Sequence, residues 1–101
     1  METTIFKSNG IYLGFIRGGF LYSRDGEYLG WMEGSFVWDN GGNFRGVLTL
    51  ISGNYYILLN KLGIPPVPKP PRQPPKYPIS LPGPKANTAP IQLSIGLVDG
   101  F

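Results

Sequence analysis

The chain has 101 residues, 42% of them hydrophobic and only 15% charged, with 15 Gly and 11 Pro making up much of the difference. A chain of this length holds a single core. With no Cys and no His, Ser-His-Asp and thiol nucleophiles, disulfides and ordinary zinc or copper sites are excluded. The net charge of +3 divides unevenly. Residues 1–63 balance Lys7, Arg17, Arg24, Arg45 and Lys61 against Glu2, Asp25, Glu27, Glu33 and Asp39. Residues 64–90 carry Lys69, Arg72, Lys76 and Lys85 with no acid, and Asp99 supplies the one remaining negative charge. The basicity therefore belongs to the proline-rich stretch, and a solvated surface explains it more simply than attraction to nucleic acid.

In chain order, the first sixty residues repeat. Asn9-Gly10, Asp25-Gly26 and Gly41-Gly42 stand sixteen residues apart, as do Tyr12, Tyr28 and Phe44, and Gly14, Gly30 and Gly46. The unit FLYSRDGEYLGWMEGS is followed by FVWDNGGNFRGVLTLI and preceded by the shorter match TIFKSNGIYLGFIRGG. A fourth unit is expected from Asn54-Tyr55-Tyr56, after a two-residue shift. Each unit reads as a hairpin, because Asn-Gly, Asp-Gly or Gly-Gly between apolar runs suits a type I′ turn. Gly18-Gly19, Gly34-Ser35 and Ser52-Gly53 punctuate one unit from the next. The expected strands are 4–8, 11–17, 20–24, 27–33, 36–40, 43–51 and 54–60, and no segment carries a helical pattern with caps.

Alternation places Tyr12, Gly14 and Ile16, with their equivalents around Gly30 and Gly46, on a charge-free face that should form the core. The opposite face carries Leu13, Phe15, Leu29, Trp31 and Val47 beside Arg17, Glu33 and Arg45. A second face this apolar predicts an interface with a partner or a neighbouring subunit. The mid-strand glycines predict bends or close backbone approach, rather than room for a ligand on an axis.

Residues 64–90 hold all eleven prolines. They predict a semi-rigid polyproline arm. Beyond it, Ile91, Leu93, Ile95 and Leu97 alternate with Gln92, Ser94, Gly96 and Val98, which reads as a strand over 91–98. The division is a β-repeat domain at 1–63, a basic arm at 64–90 and a C-terminal strand at 91–101. That strand is expected on this sheet or a neighbour's.

Motifs within the arm and the repeat are weaker. Pro74-Pro75-Lys76-Tyr77 fits the PPxY pattern of WW-domain ligands, which makes Pro74, Pro75 and Tyr77 candidate contacts for a protein partner. Pro71, Pro74 and Lys76 fit an SH3-ligand pattern. Both arise easily in so proline-rich a stretch, where a spacer or a strap across the sheet is the simpler reading. Asp25, Asp39, Glu27 and Glu33 are poor candidates for paired acid–base catalysis, because turns and an exposed face account for them. Phe15, Tyr22, Trp31 and Trp38 with Arg17, Arg24 and Arg45 could stack single-stranded nucleic acid, but the repeat body is charge-neutral.

The repeat NGIYLGFI, DGEYLGWM, GGNFRGVL resembles the small bacterial four-fold β-flower domains, over roughly residues 4–62. The resemblance implies hairpin petals about a central pseudo-four-fold axis and carries over no activity or site residues. A weaker likeness runs to PRC-barrel and SH3-like barrels.

These readings make the chain an all-β antiparallel meander of sixteen-residue hairpins in a small barrel-like or flower-like sheet. It is expected to be a non-enzymatic structural or protein-interaction module without cofactors, acting through self-assembly. The alternative is a nucleic-acid-binding small β-barrel aided by the basic arm. The N-terminus lacks the basic-then-apolar order of a signal peptide and no apolar run is long enough for a membrane helix, so a cytoplasmic protein is expected.

Overall fold

The computed structural model describes residues 2–76 and 79–101. Seven strands run in sequence order: β1 (Glu2–Phe6), β2 (Tyr12–Arg17), β3 (Phe20–Ser23), β4 (Tyr28–Glu33), β5 (Phe36–Asp39), β6 (Phe44–Ile51) and β7 (Asn54–Asn60). Each pairs antiparallel with the next, and β7 closes the barrel by pairing parallel to β1 at Ile5–Tyr55 and Phe6–Tyr56. A short β8 (Leu97–Asp99) lies antiparallel on the far half of the same edge of β7. Closure leaves little free edge, the usual hazard of a meander. Among the described residues no helix is long and apolar enough to cross a membrane.

The turns reverse the sequence-based assignment. Only the glycines of the Asn9-Gly10, Asp25-Gly26 and Gly41-Gly42 pairs adopt the left-handed conformation, with φ of 89°, 89° and 88° at Gly10, Gly26 and Gly42. A type I′ turn needs positive φ at both central residues, so these are longer turns closed by a glycine. Lys7 and Gly10 show the pattern, with Gly10 N–H donating to Lys7 O at 2.9 Å. The two-residue hairpins are instead the links between units. Gly18 and Gly19 have φ of 60° and 83°, and Ser52 and Gly53 have 50° and 84°, the type I′ signature.

β2, β4 and β6 are each bulged once. Ile5 pairs with Gly14 but Phe6 with Tyr12, Leu21 with Gly30 but Tyr22 with Tyr28, and Val37 with Gly46 but Trp38 with Phe44. The extra residues are Leu13, Leu29 and Arg45, again sixteen apart. An inserted residue breaks simple alternation. It corrects the predicted faces. Tyr12, Tyr28 and Phe44 leave the core side for the outer wall, while Leu13 and Leu29 pack against the inner cluster of Ile5, Ile16, Leu21, Val37 and Ile57. Phe15 and Trp31 stay on the outer wall but are only 0% and 1% exposed, so neither is accessible as an interface. Val47 is half-buried.

The fourth unit is displaced further than the sequence suggested. Leu48 pairs with Ile57 as Met32 pairs with Val37, so the β6–β7 hairpin gains two residues on each strand and the step lengthens to twenty. Its returning strand is β8, and the whole proline arm is inserted between β7 and β8. The predicted strand over 91–98 shortens to Leu97–Asp99, because residues 95 and 96 form a turn in which Leu97 N–H donates to Ser94 O at 3.0 Å. In the third petal the bulge holds Arg45 where the others hold leucine. The missing apolar contact comes from Phe101, which packs on the inner cluster under the Arg45 guanidinium, 4.5 Å from its ring centre.

The mid-strand glycines serve close approach. A Cβ on Gly30 would sit 1.8 Å from Trp38 O, and one on Gly14 would sit 2.0 Å from Tyr22 O. Gly30→Ala is therefore expected to lower stability by roughly 1–3 kcal/mol or more, the cost of overpacking. Gly83→Ala, which meets open space, should stay within about 0.5 kcal/mol. Urea denaturation of the two variants checks this.

Candidate functional site

Sending every unit's aromatics outward gives the barrel an aromatic wall. Phe15 stacks on Tyr22 at 5.4 Å, Trp31 on Trp38 at 6.4 Å with planes 16° apart, and Phe44 meets Trp38 edge-on at 5.3 Å. Such a wall needs covering, and the arm covers it. It passes the three petal turns in reverse order. Lys69 N–H donates to Gly42 O at 2.8 Å, Leu81 and Ile79 lie against Gly26, and Thr88 N–H donates to Gly10 O at 2.8 Å. A Cβ on Gly42 or Gly10 would collide with the carbonyl oxygens of Lys69 and Thr88, at 1.8 and 1.9 Å. The turn glycines thus serve the hairpin and the arm together. The C-terminal residues Ile91, Leu93 and Leu97 finish the circuit over Phe6, Tyr12, Tyr56 and Leu58.

The densest contact is at Glu33, the last residue of β4. Its carboxylate pairs with Lys69 Nζ and, at 2.6 Å, with Arg72 Nη2, and accepts from Trp31 Nε1 at 3.2 Å. Lys69 lies 5.0 Å from the Trp38 ring centre and Arg72 lies 5.5 Å from that of Trp31. Tyr28 donates its hydroxyl to Arg72 O at 2.5 Å. A polyproline helix has three residues per turn, so two cations three apart share one side of it. Here one acid and two stacked indoles receive both. Trp38 Nε1, beneath them, is buried without a hydrogen-bond partner. Further along, Arg17 sits 4.9 Å over Phe15, pairs with Glu2 at 2.6 Å and donates to Ser80 O at 2.6 Å.

Of the candidate proline-motif contacts, Pro74 and Pro75 are half-buried, with Pro75 lining a cleft beside Phe20 and Tyr22. Tyr77 lies outside the described residues. The carboxylates considered for catalysis do not converge. Asp39 is held by Gly41 N–H, Asn43 N–H and Arg45; partial burial raises its pKa, but these bonds outweigh that and hold it below the ordinary value. Among the described residues no group of three or more acidic side chains is arranged to hold a metal.

The arm leaves one sector of wall open, between its start and its end. There Phe36, Phe44, Val47, Leu58, Ile64 and Leu97 line a groove of about 390 Å³. Around it, Ile64 is 98% exposed, Ile95 94%, Val67 81% and Leu62 75%.

The family model of the 4-fold beta flower protein matches residues 1–94. The chain belongs to this family. The match reaches well past the repeat that suggested it and takes in the arm, so the 4-fold beta flower here comprises petals and strap together. No curated protein and no solved structure matches the chain. The family description names a fold and no activity.

Two sequence signals for this site were present and unread. Lys69 and Arg72 share a side of the arm, and residues 64–90 contain no acid to pair with them, so their partners lie outside the arm. The pairing has a pH consequence. Hydrogen bonding from Lys69, then from Trp31, with the charges of Lys69 and Arg72, outweighs desolvation and holds Glu33 below the ordinary glutamate value of 4.5. A depressed carboxyl pKa stabilises the fold fully above the ordinary value, and that stability is lost as pH falls through the folded value. Acid titration should therefore loosen the arm below about pH 4.5, seen as a change in Trp31 and Trp38 fluorescence. Glu33→Gln should flatten that transition.

Proposed function

We propose that this 4-fold beta flower protein is a non-enzymatic, self-assembling interaction module of the cytoplasm, and that two copies meet at the open sector of the wall. One observation carries the reading. The arm buries the aromatic wall over most of the circuit, yet the largest exposed apolar side chains gather where it starts and ends. Contiguous apolar surface of this kind marks a contact site. The groove is shallow and without convergent charged groups, which suits a flat apolar contact better than a polar substrate.

Nucleic-acid binding draws less support. Trp31 and Trp38, the best stacking groups, are 1% and 2% exposed. Arg17, Arg45, Lys69 and Arg72 are all engaged with carboxylates on the same chain. Base stacking needs open ring faces.

Light scattering tests the proposal. The chain is expected to run as a dimer at micromolar concentration. Removing one large apolar contact costs roughly 1.5–3 kcal/mol, and each 1.4 kcal/mol is about tenfold in affinity. Ile64→Asp should therefore weaken association at least tenfold while leaving the circular dichroism spectrum unchanged. A monomer at every accessible concentration would refute the reading.

A further inference from the structure

We infer that the Glu33–Trp31–Trp38 surface is a recognition site for a basic proline-rich segment, and that its occupant in the assembled protein is the arm of a second copy. The inference rests on the self-assembly proposed above and names its mode, reciprocal exchange of arms.

The site has the parts of a polyproline receptor: a stacked indole pair, a tyrosine hydroxyl that takes a ligand carbonyl, and an acid for the ligand's cations. Glu33 receives Lys69 and Arg72, and Tyr28 takes Arg72 O. Every contact is between barrel and arm, so each forms equally well with an arm from the same chain or from another. The charge complementarity is specific, one carboxylate against two cations at a spacing of three. Exchanging an identical element between protomers is a low-cost route to a dimer.

One feature favours the exchanged arrangement, the linker. Residues 61–68 join β7 to the anchor at Lys69, and within a single copy Leu62, Ile64 and Val67 are 75%, 98% and 81% exposed. Two linkers crossing side by side at the open sector would bury these residues against each other.

The native chain allows a direct test. Unlabelled and ¹⁵N-labelled protein are unfolded together, refolded as an equal mixture, and treated with a carbodiimide. That reagent joins a carboxylate to an amine already in contact, and here it couples Glu33 to Lys69. After digestion, mass spectrometry reads whether the coupled peptide carries one label type or both. Arm exchange predicts as many mixed as unmixed coupled peptides at concentrations where the protein is dimeric. Unmixed peptides alone would overturn it. In that case a dimer by light scattering would keep the groove contact and remove only the exchange, whereas a monomer would remove both. Absence of any Glu33–Lys69 coupling would overturn the receptor site itself. As a second arm, Glu33→Lys is mixed with Lys69→Glu/Arg72→Glu. Each variant opposes like charges within its own chain, and only exchange restores both pairs. A one-to-one heterodimer is expected, and its absence contradicts the exchange.

Discussion

A single inserted residue, repeated at Leu13, Leu29 and Arg45, decides how this barrel presents itself. Without the bulge, strict alternation would put Tyr12, Tyr28 and Phe44 on the lumen side with Gly14, Gly30 and Gly46. With it, the lumen fills with aliphatic groups, closed by Phe101, and the petal aromatics go outside. Bulges also increase local twist, and the glycine beside each one lets the next strand's backbone come close. The result is a closed barrel whose outer surface is too apolar to face water.

The arm is the answer to that surface, and its form follows from the repeat. Each petal ends in a turn closed by a glycine with positive φ, and at Gly42 and Gly10 the lack of a side chain lets the arm's backbone dock. The arm is therefore held where the repeat places equivalent turns. Prolines suit such a strap, because a chain with few donors and limited freedom loses little entropy on docking. Cations then fix it in place: Lys69 and Arg72 at Glu33, with Arg17 reaching from the barrel to Ser80 O. The same logic closes the fold at its end. Asp99 receives Ser8 N–H at 2.8 Å and Ser8 Oγ at 2.6 Å, tying β8 to the first petal. Phe101 restores the core contact that Arg45 gives up.

Much of the architecture was legible in the residues. The sixteen-residue step placed all seven barrel strands within about two residues, because glycine punctuation and aromatic alternation are local signals. What failed was non-local. A bulge leaves no composition mark, so Leu13 and Leu29 read as outward and Tyr12 as inward. The turn types were exchanged because Asn-Gly and Gly-Gly both permit a tight hairpin, and only hydrogen bonding across the strands decides which one forms. Phe15 and Trp31 looked like an interface because nothing local says that a segment more than forty residues downstream covers them. Glu33 was read as a solvated charge on an exposed strand face for the same reason. Its partners are thirty-six and thirty-nine positions away.

The central claim is that the arm is part of the folded structure, seated turn by turn on the petals. Amide hydrogen exchange by NMR tests it most directly, since exchange protection reports the free energy of opening at each hydrogen bond. Lys69, Thr88 and Ile91 donate their amides to Gly42 O, Gly10 O and Ser8 O at 2.8 Å each. The account predicts that these three amides are protected and open together, well slower than those of exposed arm residues such as Lys85 and Ala86. Exchange of all three at the rate of an unstructured peptide, with the barrel amides still protected, would contradict it.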